Sequence, residues 1–166
     1  DLVTVAQAAH WLDLPRFYEE VRRVAKPDAA VALISYGVLH VDGPGDAVVQ
    51  RFYAETIGPY WPPERRHVED GYRNLPFPFV ERTLPQLAIE VRWRLEELLG
   101  YVGTWSAVKA AREALAADPV AELEAQLRGA WGDPQAPRRV VWPLSVRAGN
   151  VMQPCPLAQV RGSSHN

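Results

Sequence analysis

The sequence has only one cysteine among its 166 residues, Cys155. A single thiol cannot form an internal disulfide, and Cys155 has no CxxC partner or neighbouring histidine with which to hold zinc. The chain also lacks an HExxH motif, a P-loop and the residue pattern of a serine hydrolase. Its carboxylates show no spacing typical of paired-carboxylate catalysis. These enzyme classes are therefore excluded, and we expect no metal site.

Long hydrophobic runs and an excess of one charge are also missing. No apolar run approaches the roughly 20 residues that cross a bilayer, and the start of the chain lacks the layout of a signal peptide. The 18 basic and 20 acidic residues give a net charge of −2 and are mixed along the chain. We therefore expect a cytoplasmic protein without a nucleic-acid or membrane partner.

What is present is the composition of a folded domain. The chain is 48% hydrophobic and 23% charged, which is close to the globular average. Its length suits one domain with a real core. We place this domain at residues 1–149 and interpret residues 150–166, which carry no pattern, as an unstructured tail or cloning remnant.

The first part of the chain predicts a strand, a helix and a second strand. Residues 2–9 and 29–35 are small and apolar, as expected for parallel strands covered by helices on both faces. Asp13 can cap the helix between them. A strand, helix and strand within about 35 residues form a right-handed parallel crossover. The helix repeats apolar residues at helical spacing: Phe17, Val21 and Val24.

The remainder of the chain mixes helices with two further strands. Proline and aromatic residues without periodicity fill residues 58–80, and an irregular segment of this length is more often functional than merely connecting. Pro143 lies inside the last predicted strand and favours a bulge or an edge there. The predicted elements are a helix at 46–57, a strand at 86–93, helices at 95–102, 106–116 and 118–131, and a strand at 139–147.

Three short motifs carry a resemblance to a known family: Gln7-Ala8-Ala9-His10-Trp11 after the first strand, Tyr60-Trp61-Pro62-Pro63-Glu64-Arg65 in the irregular segment, and Thr104-Trp105-Ser106. Together they resemble class I S-adenosylmethionine-dependent methyltransferases, closest to the branch around trans-aconitate methyltransferase. The similarity spans roughly residues 1–149. It implies an α/β fold with a partial Rossmann-like methyltransferase sheet of about four strands, two parallel and then an antiparallel pair, with a helical insertion. The implied spatial order is first, second, last, third strand.

The cofactor site of this family needs a glycine-rich turn after a strand, which this chain does not contain. Gly43-Pro44-Gly45 is the only close glycine pair, and its proline marks a turn. The chain also begins within an apolar strand, so we expect a truncated methyltransferase-like domain that lacks the cofactor-binding half. S-adenosylmethionine, the cofactor implied by the resemblance, is then not expected to bind to this fragment alone. The first strand would be an exposed sheet edge, which favours a homodimer.

The resemblance also implies the site residues. Gln7, Ala8 and His10 correspond to cofactor-binding positions, and the substrate-binding candidates are His10, Trp11, Tyr60, Trp61, Arg65, Tyr101 and Trp105. Arginine grips carboxylates and aromatic rings form the walls of pockets. For each group a purely structural interpretation stays open: a packed His10-Trp11 pair, a stiff loop with a solvated tip at Glu64-Arg65, and a core role for Trp105.

Three hypotheses of function follow, and the last is that the chain is one part of an intact enzyme. In the first, the chain binds a small organic molecule, possibly a carboxylate, and transfers a methyl group only if another polypeptide supplies the glycine-rich half. In the second, it is a non-enzymatic interaction module that dimerises through its exposed sheet edge. No single catalytic residue can be assigned, because transfer to an ionised carboxylate requires alignment more than a base.

Overall fold

A computed structural model describes residues 1–154 of the chain, with side chains as far as Val151. The strands are β1 (Leu2–Ala6), β2 (Ala30–Tyr36), β3 (His40–Val41), β4 (Phe79–Glu81), β5 (Leu87–Trp93) and β6 (Arg138–Pro154). The helices are α1 (Leu14–Val24), α2 (Gly45–Arg51), α3 (Arg65–Glu69), α4 (Leu95–Val102), α5 (Ser106–Ala114) and α6 (Pro119–Trp131). Two 3₁₀ turns, Ala9–Trp11 and Gly58–Tyr60, and a π-helical turn, Phe52–Thr56, complete the elements.

The chain forms two compact units, where the sequence predicted one domain. Unit 1 contains Asp1–Gly37, Arg66–Leu87 and residues 144–154. Unit 2 contains Val38–Arg65 and Ala88–Pro143. None of the helices described in residues 1–154 is both long and apolar enough to span a membrane.

Unit 1 contains the predicted strand, helix and strand. β1 and β2 are parallel, with Leu2 opposite Ala30 and Ala6 opposite Ile34. α1 begins after Asp13 because the carboxylate of this residue accepts a hydrogen bond from the Arg16 amide at 3.3 Å. The buried face of α1 differs in part from the prediction: Leu14, Tyr18 and Val21 are buried, Phe17 is half-buried and Val24 is 56% exposed.

β1 and β2 differ in how well they are covered. β2 is mostly buried, as predicted for a strand packed on both faces. The same prediction is wrong for β1, because alternate residues of this strand are exposed and Leu2 is 62% exposed. Among the strands of residues 1–154, β1 pairs with β2 alone. The outer edge of β1 is therefore open in the part of the chain that the structure describes.

β6 closes the sheet of unit 1 in antiparallel pairing with β2, from Leu144 opposite Tyr36 to Asn150 opposite Ala30. β6 continues past residue 149, where the domain was predicted to end, to Pro154. The amide of Val151 donates to the Ala29 carbonyl at 2.9 Å. The tail prediction is therefore wrong for residues 150–154, and residues 155–166 lie outside the described chain.

Unit 2 contains four helices and three strand segments. α6 contacts α2, α4 and α5, and the buried side chains of this core include Val49, Leu98, Val108, Leu123 and Leu127. As predicted, α6 begins after Asp118, whose carboxylate accepts from the Val120 amide at 2.9 Å.

The strands of unit 2 join the first part of β6. Val140 and Val141 lie opposite β3, and β5 also pairs with β6, which confirms the predicted neighbours of the last strand. The predicted buried face of β5 is incomplete, because Leu87 and Ile89 are 47% and 41% exposed. Pro143 lies after the residues opposite β3 and before those opposite β2, so its missing N–H interrupts neither of these ladders.

Candidate functional site

Six aromatic side chains of unit 2 contact one another and form what we call the aromatic cluster: Tyr53, Trp61, Trp93, Tyr101, Trp105 and Trp142. The shortest separation between ring centroids is 5.2 Å, as between Tyr53 and Trp61, and the longest is 5.9 Å, as between Tyr101 and Trp105. Most contacts are tilted or edge-to-face, which is the favoured geometry for aromatic pairs.

Six separate segments bring these rings together. Tyr53 lies on the π-helical turn that follows α2, and such turns often occur at functional sites. Trp61 comes directly after the 3₁₀ turn Gly58–Tyr60. Tyr101 lies on α4 and Trp105 is the residue that caps α5. The remaining two, Trp93 and Trp142, lie on the paired strands β5 and β6.

Arg65 lies against one end of the aromatic cluster. Its Nε donates to the Tyr53 hydroxyl at 2.9 Å, and its Cζ is 4.7 Å from the centroid of the Trp61 ring. Within residues 1–154, Arg65 forms no salt bridge with a carboxylate. The half-buried guanidinium is therefore positioned by aromatic groups and retains capacity to bind an anion.

Two indole N–H groups of the aromatic cluster lack an acceptor. Nε1 of Trp61 and Nε1 of Trp142 are both buried without a hydrogen-bond partner among the described residues. Trp142 itself is only 4% exposed. A buried unpaired donor costs about 1–3 kcal/mol, so the unpaired Trp61 N–H beside the Arg65 guanidinium indicates a place for an oxygen-rich ligand.

A second group of predicted residues lies in unit 1 at the carboxyl end of β1, the edge at which open α/β sheets bind ligands. Nδ1 of His10 is 2.9 Å from the hydroxyl of the buried Tyr72. The His10 ring lies 4.8 Å from that of Trp11, which is 60% exposed. His10 is thus packed against Tyr72, while Trp11 lies largely at the surface.

Gln7 closes the end of the β1 and β2 ladder with its side chain. Nε2 of Gln7 donates to the Tyr36 carbonyl at 2.9 Å, and Oε1 accepts from the Tyr36 amide at 3.5 Å. Gln7 has a φ of 53°, an uncommon conformation for a residue other than glycine. Its amide is thus engaged with the backbone, and Ala8, which follows it, has no polar side chain to offer.

Arg147 of β6 holds the loop that carries Tyr72. Its Nη1 donates to the Tyr72 and Leu75 carbonyls at 2.7 Å each, and its guanidinium also pairs with Glu81. Nearby, Tyr18 donates to the Pro76 carbonyl at 2.7 Å. Burial raises the pKa of Tyr18 to about 12, opposed by the positive charge of Arg147 and supported by the negative charge of Glu81.

The structure brings together only some of the residues predicted from the sequence. Trp61, Arg65, Tyr101 and Trp105 meet in the aromatic cluster or beside it. Tyr60 is half-buried on its 3₁₀ turn, and no ring contact joins it to the cluster among residues 1–154. His10, Trp11, Gln7 and Ala8 belong to unit 1.

Four residues of these arrangements were missed by the sequence analysis: Tyr53, Tyr72, Trp93 and Trp142. Tyr53 stood in the apolar stripe of a helix, and Trp93 and Trp142 in the alternating pattern of strands. Their spacing predicts burial, so nothing local separates them from ordinary core residues. No group of three or more potential metal ligands occurs among the described residues.

Two relatives show what the chain is similar to. No protein-family model matches the chain. A Dictyostelium discoideum protein named "Putative methyltransferase" is 35% identical over 134 residues, which cover 79% of this chain and 51% of that protein. A solved structure, described as that of "a Putative Type II Methyltransferase from Anaeromyxobacter dehalogenans", is 54% identical with a TM-score of 0.86. The similarity covers 91% of this chain and 64% of the chain in the Anaeromyxobacter structure.

The structural agreement confirms the predicted α/β fold with a Rossmann-like sheet. The chain spans about half the length of the Dictyostelium relative and less than two thirds of the Anaeromyxobacter structure.

Proposed function

Since this chain is a homologue of proteins named as methyltransferases and has a methyltransferase-like fold, we propose that it forms the substrate-side part of such an enzyme. Its ligand is a small organic carboxylate, bound at the aromatic cluster and Arg65. The motifs that resemble the trans-aconitate methyltransferase branch favour a carboxylate as the methyl acceptor.

One observation carries this proposal: Arg65 is held against Tyr53 and Trp61 without a carboxylate partner in residues 1–154, beside the unpaired Trp61 N–H and in a cluster that also contains the unpaired Trp142 N–H. A core with no ligand role would leave these buried donors uncompensated. A carboxylate supplies two oxygens with several lone pairs and can bridge a guanidinium and an indole N–H. The surrounding rings would cover the carbon skeleton of the ligand.

This chemistry needs no strong base in the site. A carboxylic acid with a pKa near about 4 is already ionised at neutral pH, so transfer of a methyl group to it depends on alignment and exclusion of water. Binding geometry at the aromatic cluster is therefore the main contribution of these residues.

The residues of this chain do not by themselves fit S-adenosylmethionine, the methyl donor of this fold family. The sequence has no glycine-rich turn between a strand and a helix, and the Gln7 amide is engaged by Tyr36. We propose that the part of the relatives to which this chain has no counterpart, on the same or another polypeptide, supplies that site. Gln7, Ala8 and His10 would then border it.

Titration of the chain with trans-aconitate tests the ligand proposal. Four of the six tryptophans lie in the aromatic cluster, so their fluorescence reports binding, with calorimetry as an independent measure. The trimethyl ester of trans-aconitate, which has the same skeleton without charge, should bind far more weakly. Absence of binding by trans-aconitate, citrate and succinate alike would refute a carboxylate site.

Arg65→Gln is the decisive variant and Arg66→Gln is its matched control. Both remove one positive charge at adjacent positions, but Arg66 is exposed and contacts no ring of the aromatic cluster. Loss of a charged hydrogen bond worth about 1.5–3 kcal/mol weakens binding by roughly 10- to 100-fold. Arg66→Gln should stay within about twofold of the wild type. Equal losses in the two variants would indicate a general charge effect instead of a site.

A second candidate function, a dimerising module, is favoured by the open edge of β1 and the exposure of Leu2. Unpaired strand edges with apolar side chains associate readily. Light scattering after size exclusion should then show a concentration-dependent dimer. Leu2→Lys should abolish this dimer, while Val24→Lys, at an equally exposed position on α1, should not. A monomer at every concentration would remove this candidate.

A further inference from the structure

We propose that β5 is an interaction surface, at which a second copy of the chain binds by antiparallel pairing of the two β5 strands. β5 (Leu87–Trp93) has β6 as its one strand partner among residues 1–154, so its other edge is open. An open edge presents unpaired N–H and C=O groups that a further strand can bind. This proposal does not rest on the proposed function.

This edge lies in an exposed part of the chain. Every residue from 80 to 90 is exposed, and the exposed fractions of Leu87 and Ile89 are 47% and 41%. Side chains alternate along a strand, so Leu87, Ile89 and Trp93 share one face of β5. At one end of this face Trp93 packs against Trp142, whereas Leu87 and Ile89 lie in solvent at the other end. Part of the apolar face is therefore uncovered within the described chain.

The other face of β5 carries one charge of each sign, on Glu90 and Arg92. Arg92 is exposed and forms no salt bridge within residues 1–154. Glu90 is bound by Arg139 of β6, whose Nε and Nη2 lie 3.0 Å and 2.6 Å from the two carboxylate oxygens. A carboxylate offers about four lone-pair positions, so Glu90 retains capacity for a second guanidinium. The strand thus presents charges that can complement those of an identical strand.

The positions of these charges select one register for the pairing. Residues that lie opposite each other in an antiparallel pair share a face and have Cβ atoms about 4.5–5.5 Å apart. A symmetric dimer uses the same patch twice, so its two-fold axis passes beside one residue of β5. With Val91 at the axis, Glu90 of each copy lies opposite Arg92 of the other, and Ile89 lies opposite Trp93. Two ion pairs then form, and Ile89 gains an apolar neighbour.

Neighbouring registers leave the charges opposed or unused. With Glu90 at the axis, two carboxylates would lie opposite each other, which is destabilising. With Ile89 at the axis, Glu90 would lie opposite Ala88, and no ion pair would form. Charges of one sign on an edge strand prevent association, but the order Glu90, Val91, Arg92 is complementary to itself in the antiparallel direction. The charges and the exposure of β5 together favour a symmetric dimer with its axis at Val91.

Light scattering after size exclusion of the 166-residue chain, at several concentrations, tests the interface. The wild type should dimerise as its concentration rises. Arg92→Glu turns both attractive pairs into repulsive ones and should raise the dissociation constant by roughly tenfold or more. Arg16→Glu is the matched control, because Arg16 is also exposed, forms no salt bridge within residues 1–154 and lies on α1. Its dissociation constant should stay within about twofold of the wild type.

Disulfide cross-linking tests the register. In a Cys155→Ser background, which has no other cysteine, Val91→Cys places two thiols opposite each other at the axis, within the Cα separation of up to about 7 Å that a disulfide spans. Ile89→Cys is the matched control, since its two thiols would lie four residues apart along the strands, at a distance of about 14 Å. Mild oxidation should therefore give a covalent dimer of Val91→Cys on a non-reducing gel and little of Ile89→Cys.

A wild type that stays monomeric up to about 1 mM would overturn the proposal. So would a dimer that Leu2→Lys disrupts and Arg92→Glu does not, because that dimer would form through β1. A cross-link in Ile89→Cys with none in Val91→Cys would refute the register and the role of the charges. If Val91→Cys fails to fold, Arg92→Glu decides, since its side chain is exposed. None of these measurements involves a carboxylate ligand, so their failure would leave the ligand proposal standing.

Discussion

Replacing Arg147 with methionine should destabilise the protein by about 3–6 kcal/mol. The side chain of Arg147 is only 14% exposed. It donates to the Tyr72 and Leu75 carbonyls at 2.7 Å each, and its Nε lies 3.1 Å from both carboxylate oxygens of Glu81. Its Cζ is also 4.9 Å from the centroid of the Phe77 ring. One side chain thus attaches the segment from Tyr72 to Glu81 to β6.

The size of the effect follows from these contacts. A hydrogen bond from a charged donor contributes about 1.5–3 kcal/mol, so the two bonds to carbonyls account for about 3–6 kcal/mol. The pair with Glu81, which is 47% exposed, adds less than about 1 kcal/mol because water screens it. Methionine retains most of the packing of the aliphatic stem, so lost packing contributes little.

Urea unfolding followed by far-ultraviolet circular dichroism measures this loss. For a small protein with a slope of about 2 kcal/mol per molar, the midpoint should fall by roughly 2 M. Glu81→Gln is the control, because it removes the charge and keeps an acceptor, and it should cost less than about 1 kcal/mol. If Arg147→Met lies within about 1 kcal/mol of the wild type, or if Glu81→Gln costs as much, the attachment role is refuted.

Three further predictions concern Tyr18, Asp118 and two glycines. Burial raises the folded-state pKa of Tyr18 to about 12, above the value of about 10 in an unfolded chain, so its contribution is complete below about pH 10 and lost as pH rises through 12. The stability difference between wild type and Tyr18→Phe, measured in urea, should therefore shrink over this interval; a constant difference would contradict the cause given. Asp118→Ala should cost about 1 kcal/mol by removing the cap of α6, and Asp118→Asn should recover most of it. The hydrogen bond from the Arg112 side chain lowers the pKa of Asp118, so the difference between Asp118→Asn and wild type should diminish as pH falls below about 4. Gly149→Ala places a Cβ 2.6 Å from the Val80 carbonyl oxygen and should lower the free energy of unfolding by about 1–3 kcal/mol. Gly129→Ala lies inside α6, where an added Cβ meets nothing within 4 Å, and should raise the free energy of unfolding by about 0.5–1 kcal/mol. Equal shifts of the thermal midpoint in the two variants would show that these contacts do not matter.

Most of the secondary structure could be predicted because its signals are local. Asp13 and Asp118 cap helices with hydrogen bonds to amides two or three residues away, and such bonds depend on adjacent sequence alone. The alternation of residues 86–93 likewise predicted β5. The short strands β3 and β4 were missed, because two or three residues cannot establish a period.

Burial was predicted less well than the elements themselves. The apolar residues of β1 and β5 predicted covered strands, yet Leu2, Leu87 and Ile89 are exposed. The hydrophobic pattern shows which faces can be buried, but coverage depends on which other elements reach them. The end of β6 was missed for a related reason, since Asn150 has no strand signal and is extended because it lies opposite Ala30.

By itself, the sequence predicted the α/β fold, most of its strands and helices and the candidate residues Trp61, Arg65, Tyr101 and Trp105, because motifs and caps act over a few residues. Only the tertiary structure decided that these residues meet Tyr53, Trp93 and Trp142, and that Tyr72 reaches His10 across 62 positions of the chain. The physical reason is that a ring stacked on another ring has the same local pattern as a ring buried in any core. Which neighbours it meets depends on how distant segments pack.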